Sequence, residues 1–370
     1  MRRLLLPLLL AVACTAQDPA SWSVTDFGAV PGQECTSAIQ AALDAAESAG
    51  GGRVVVPEGL FPAHTLYLRS GVELYLEKGA VLQGVADPDA YAPYIPHNDL
   101  TRYDSGNGTA NANCVNDRQW MKAFLIGDGV QNASIAGKGT IDGSHVFDVR
   151  GEENMRGPHT IIIAEAEGFR MEGITITRAS NYAFLGYALK APVFEGVTIT
   201  EGWDGIHIRG AENAVIRNCS FQTGDDSIAG GYWNNMLIEN CKINSSCNGI
   251  RIIMPCDRVL IRDSHFYGPG VYPHRTSGEA RRSNMLFGVS LEPGAWGKAS
   301  GTMQHITLKN LVMENLSSPV ATSVREGSVA EDLTLDNIQA SGITGALTPI
   351  VCWNDLGFRS VKVSNCSYSR

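Results

Sequence analysis

The chain has 370 residues and a net charge of −9; charged side chains make up only 18 %, and glycine fills 40 positions. This excludes a disordered polyelectrolyte and suits a folded, turn-rich β protein. Nucleic acid is not an expected partner, because phosphate binding needs clustered Lys and Arg, and the Arg281-Arg282 pair reads as a solvated loop.

The N-terminus reads MRRLLLPLLLAVACTAQDPA. Two arginines, an apolar run from Leu4 to Ala13 and small residues form a secretory signal pattern, too short to span a bilayer. Cleavage after Ala16 predicts a signal peptide over 1–16 and export to the periplasm or the exterior. Cys14 loosely resembles a lipid-anchoring signal. No other segment reads as transmembrane. Eight cysteines remain beyond Cys14. Export permits disulfides, although their pairing cannot be read from the sequence. No CxxC pair is present, so no zinc site is expected, and no other metal or cofactor is called for.

The stretch CTSAIQAALDAAESAGGG places Ala38, Ile39, Ala42, Leu43 and Ala46 at helical spacing. Thr36 or Ser37 is the expected cap, and the glycines from Gly50 end the helix. Residues 87–122 are rich in Asp, Asn, Pro and Tyr and predict long loops over one face, as do residues 268–300.

From residue 160 onward, short β-branched runs recur, each closing on Gly, Asn or Asp. The closing residues Gly173, Gly196, Asn218, Asn240 and Asp263 follow one another at a near-constant interval. So short a period leaves no room for βαβ units. It predicts an all-β fold, a parallel β-helix of about 22–23 residues per coil, with the N-terminal helix capping its first coil. The mature chain, 17–370, then forms one domain and an expected monomer. Asn218, Asn240, Asn310, Asn337 and Asn365 predict a buried structural ladder, closed to glycans. Cys219 and Cys241 predict stacked core thiols.

The period also organises the acids. Tyr182, Asp204, Asp226 and Asn248 are evenly spaced, each one period after the last. With strands about 4.8 Å apart, Asp204, Asp225 and Asp226 should share one patch. Crowded carboxylates repel, so their pKa values split and supply an acid and a base at one pH. Turn chemistry or calcium binding would use the same residue types.

Several stretches resemble glycoside hydrolase family 28, the polygalacturonase-like enzymes: DFGAV, SAIQAALDAAESAGGGRVVVPEG, LYLRSGVELYLEKGAVLQG, IAGKGTIDG, RGPHTIII, WDGIHI and TGDDSIA. The resemblance implies a right-handed parallel β-helix that hydrolyses pectic polysaccharide or oligosaccharide with inversion. It implies Asp225 as general acid, with Asp204 and Asp226 holding the attacking water. Inversion sets acid and base about 6.5–9.5 Å apart, so the side chains are expected to splay. Three positions depart from the family pattern: Asn248 stands where it has His, and Ser290 and Glu292 stand where it has cations gripping a uronate. Glu292 should repel such a group. Arg251 is the candidate substitute, with Asn248 also expected to bind substrate. Trp203, Trp233 and Tyr182 are candidate sugar platforms, while Trp296, His145, His159 and His207 stay outside the predicted site. A lyase or epimerase, or a non-catalytic carbohydrate-binding solenoid, are the alternatives.

Overall fold

The computed structural model describes residues 20–104, 113–275, 281–297, 301–352 and 357–370. The predicted signal peptide with Cys14 lies outside the described residues, as do positions 105–112, 276–280 and 298–300 of the long loops. No helix among the described residues is long and apolar enough to cross a membrane.

One coil shows the plan. Residues 206–212 pair with 184–190 of the coil before, 215–217 with 193–195, and 220–222 with 198–200. These strand pairs are parallel, as are those of the later coils, so the chain winds into three ladders. The inward positions form continuous columns. In one ladder Phe194, Ile216, Ile238, Ile261, Leu308 and Leu335 stack in register. In another, Phe184, Ile206, Ile228, Ile250, Val289 and Val320 do the same. All of them are fully buried. At about 1.5–3 kcal/mol per buried side chain, these columns hold the coils together.

The predicted period has a backbone cause. Gly173, Gly196, Asn218, Asn240 and Asp263 all adopt left-handed φ, between 52° and 72°. Gly, Asn and Asp occupy that region most readily. The asparagine ladder differs from expectation. Asn218, Asn240, Asn310, Asn337 and Asn365 are exposed rather than buried. Their turns face solvent because the left-handed corner points outward. Side-chain bonding runs in short pieces, Asn337 to Asn310 (3.0 Å) and Asn310 to Asp263 (2.9 Å). Cys219 and Cys241 are buried free thiols, and none of the eight described cysteines is disulfide-bonded.

The helix α1, Thr36–Ser48, lies over the first coil and buries Ile39, Ala42, Leu43 and Ala46. Its cap differs from the expected one. Glu34 Oε1 accepts the Thr36 N–H at 2.8 Å, while Thr36 Oγ1 accepts from His64 N–H at 2.8 Å. Residues 85–104 and 113–122 cross the outer face of the ladder containing 123–128, 159–164 and 184–190. Tyr94, Leu100, Val115, Trp120 and Met121 cover Ile126, Ile162, Leu185 and Tyr187 there in a second apolar cluster.

Candidate active site

The acids sit in the turn that enters this covered ladder. Gly205 N–H bonds Asp226 O (2.9 Å), and Ser227 N–H bonds Asn248 O (3.1 Å), so 204, 226 and 248 are equivalent positions on successive coils. Gly205 follows Asp204 because a Cβ there would lie 2.5 Å from Ser227 O. One carboxylate oxygen from each of Asp204, Asp225 and Asp226 lies within 4.8 Å of the others. These nearest oxygens come from acids on two adjacent coils, Asp204 on one and Asp225 and Asp226 on the next.

Each acid has its own partners. His207 Nδ1 lies 2.7 Å from Asp204 Oδ2. Arg209 Nε–H points at His207 Nε2 (3.4 Å), so the imidazole proton belongs on Nδ1, donating to Asp204. Asp226 Oδ1 accepts from Asn248 Nδ2 (2.7 Å) and Asn248 N–H (3.1 Å), and Arg251 Nη1 is 3.9 Å from its other oxygen. Asp225 Oδ2 lies 3.5 Å from His274 Nε2 and 3.7 Å from Arg156 Nη2. Its side chain is 16 % exposed, against 5 % for each of the other two, so Asp225 is the acid that meets solvent.

The electrostatics divide the three. Burial, then the charges of Asp225 and Asp226, push the Asp204 carboxyl well above the usual range. Burial and the Asp225 charge push Asp226 up to about 6. Burial also raises Asp225, but the His274 hydrogen bond and the charges of His274, Arg156 and Arg251 outweigh it and hold that carboxyl below the ordinary range. The cluster therefore retains a proton on its deep pair while Asp225 stays ionised, and its titration belongs to the three together.

The other predicted residues separate. Arg251 joins the site, but Glu292 neutralises it through contacts of 3.3 and 3.2 Å, and Ser290 Oγ–H supports Glu292 at 2.6 Å. Trp203 and Tyr182 lie beneath the acids, almost fully buried, so neither is an open platform. Trp203 is flanked by the guanidinium groups of Arg156 (5.2 Å) and Arg275 (5.1 Å). Tyr182 stacks on His207 at 4.6 Å. Trp233 does not join the site. Its strand has turned a corner by that position, and the indole packs in the main core with Nε1–H on Ile208 O (2.8 Å). Neighbours in sequence of the acids thus point to different faces.

Sequence reasoning left out several groups that the fold brings in. His207 shares a register column with Leu185, Ala229 and Arg251, and counting back two periods from Arg251 finds it. Arg156 lies in the quoted RGPHTIII stretch. Trp296 stacks on the other face of His207 at 5.6 Å and is partly exposed. His274 enters from the loop after residue 268, where no period applies, so it left no signal. Arg282, expected on a solvated loop, is half-buried with Nη2–H on Cys247 Sγ at 3.4 Å. A pocket of about 250 Å³ adjoins the turn, lined by His145, Phe147, Gly202, Tyr272, Arg275 and Arg281.

Comparison with known proteins agrees with this architecture. The right-handed β-helix region model matches residues 159–280. The chain is 26 % identical over 258 residues to an exo-poly-alpha-D-galacturonosidase of Dickeya chrysanthemi, covering 58 % of this chain and 42 % of that one. It thus spans less than half of that relative's length. The family 28 exopolygalacturonase of Yersinia enterocolitica superposes with a TM-score of 0.70 at 18 % identity, covering 95 % of this chain and 72 % of that one. PfbA, a surface adhesin of Streptococcus pneumoniae, superposes with a TM-score of 0.62 at 17 % identity, covering 95 % and 92 %. The protein therefore has a right-handed parallel β-helix. The family 28 exopolygalacturonase and the adhesin both share this fold.

Proposed function

We propose that this protein is an exported, monomeric glycoside hydrolase acting on a pectic or related polysaccharide or oligosaccharide. The observation that carries this reading is the clustering of Asp204, Asp225 and Asp226, one carboxylate oxygen of each lying within 4.8 Å of the others. A protein that only bound sugar would gain stability by losing such repulsion. In this reading Asp225, the acid that reaches solvent, protonates the leaving oxygen. Asp204 and Asp226 hold and deprotonate a water, with His207 and Asn248 fixing their oxygens. The Dickeya relative's name, which specifies a galacturonosidase, supports the reaction class.

The recognition of the sugar should differ from that of a galacturonate-specific site. Arg251 is already balanced by Glu292 and Asp226, so it has little charge left for a uronate carboxylate. Neutral sugar units are favoured at this position, with Trp296 as the partly exposed ring beside them. Glu292→Gln is expected to lower KM for uronate-containing oligosaccharides about threefold or more, with little change for neutral ones. Equal effects on both would remove Arg251 from substrate recognition.

Incubating the protein with a panel of pectic and other plant polysaccharides, with NMR of the released anomer, tests the assignment. Reducing ends should appear, and the first-formed anomer should be inverted. A retained anomer would contradict the water-holding role of Asp204 and Asp226. Products absorbing in the ultraviolet would indicate elimination, and tight binding without turnover a non-catalytic solenoid.

A further inference from the structure

No zinc-type spacing runs along the sequence, yet winding brings three such ligands together. Cys247 follows Asp225 by one period and sits one coil above it. Ser245 ties the two turns: its Oγ–H donates to Asp225 O (2.7 Å) and its Oγ accepts the Cys247 N–H (2.8 Å). His274 arrives from the long loop, anchored by its N–H on Arg282 O at 2.8 Å. One donor atom from each of Asp225, Cys247 and His274 lies within 4.8 Å of the other two, and the Asp225–His274 separation is 3.5 Å.

We propose that Cys247, His274 and Asp225 form a binding site for a thiophilic divalent cation of the zinc class, at the mouth of the carboxylate cluster. Zinc bonds of about 2.0–2.3 Å place tetrahedral donors roughly 3.4–3.8 Å apart, so the three need only a small closing movement. Thiolate, imidazole and one carboxylate select this class over magnesium or calcium, which take oxygen ligands. Asp204 and Asp226 behind the site add negative potential. All three donors are partly exposed, which leaves a fourth position for water.

The sulfur is placed to accept. Arg282 Nη2–H and Asn248 Nδ2–H point at Cys247 Sγ from 3.4 and 3.5 Å. The arriving cation takes the place of the Arg282 contact. Coordination of the thiol as thiolate forms a metal–sulfur bond and releases its proton to solvent, with no change of oxidation state. Arg156, 3.7 Å from Asp225, and Arg282, 3.4 Å from Cys247 Sγ, are the opposing charges.

Occupancy takes Asp225 away from the sugar. On the hydrolase reading above, on which this consequence rests, the cation is a reversible inhibitor. The binding itself does not depend on that reading.

The test uses the full-length chain stripped of metal and titrated with cobalt(II). One equivalent should bind with a thiolate-to-cobalt charge-transfer band, and zinc should displace it. Cys247→Ser should lose the band and bind zinc at least tenfold more weakly, and His274→Gln should also weaken binding. No saturable binding, or an undiminished band in Cys247→Ser, overturns the site. Zinc should also inhibit sugar release by the parent but not by Cys247→Ser, with chelation restoring the parent. Zinc bound at the site with turnover unchanged overturns the inhibition. A parent inactive on every glycan, with the cobalt result intact, rejects the hydrolase reading and leaves the metal site standing.

Discussion

Asp225→Asn is expected to lower turnover of a natural oligosaccharide by about 10²–10⁴-fold, the range for losing a positioned general acid. The loss should depend on the leaving group. A sugar alkoxide needs a proton as the bond breaks, whereas an activated aryl leaving group does not. Aryl glycosides should therefore lose far less than the natural substrate. The structure makes this test sharp, because Asp225 is held ionised in the free protein by His274 and Arg156. The proton of the resting cluster lies with Asp204 and Asp226. Asp225 acts as an acid only in the protonation state where that shared proton has moved to it. A uniform loss across leaving groups would assign Asp225 to the base side, with a deeper aspartate as the acid. Unchanged turnover would detach the reaction from this cluster.

The winding was legible in the sequence because it repeats a constraint. Each coil needs a residue tolerant of left-handed φ at one corner, and Gly173, Gly196, Asn218, Asn240 and Asp263 meet it at near-constant intervals. The same count stacks Asp204 on Asp226 and Asn248. It fails wherever the chain leaves the coil. Arg251 pairs with Ser290, far more than one period on, because the segment from 268 is inserted between them. His274, Arg282 and Trp296 come from beyond the point where the count breaks, so no count reaches them. The aromatic candidates fail for another reason. Trp233 is near the acids along the chain, but strand 228–239 crosses from one ladder to the next, and the side chain turns to the core. Distance in a solenoid follows register, so a neighbour in sequence can face away while a residue one period on lies alongside. Asp225 and Cys247 show the same lesson, since the count that joins 204 to 226 also joins 225 to 247.

Asp226→Asn should make the protein more stable while disabling it. Burial and the Asp225 charge raise the Asp226 carboxyl to about 6 in the folded state, against 3.8 for the unperturbed group. A folded pKa above the unfolded one means that the folded state binds the proton more tightly. Its stabilising contribution is then complete below about pH 4 and is lost as pH rises through 6. At roughly 1.4 kcal/mol per pH unit, ionised Asp226 costs on the order of 3 kcal/mol at pH 7. The asparagine carbonyl still accepts from Asn248, and Arg251 keeps Glu292. Removing the charge should raise Tm at pH 7 by about 3–4 °C for a chain of this size. The gain should vanish near pH 4, where parent and variant are both neutral at this position. Turnover should fall by about 10²-fold or more, because the water loses one of its two carboxylate holders. Thermal melts of both proteins across that pH range, beside their rates, decide the matter. A variant less stable than its parent at pH 7 would make Asp226 a structural anchor for Asn248 and Arg251. A gain in stability together with full activity would leave Asp204 as the sole base.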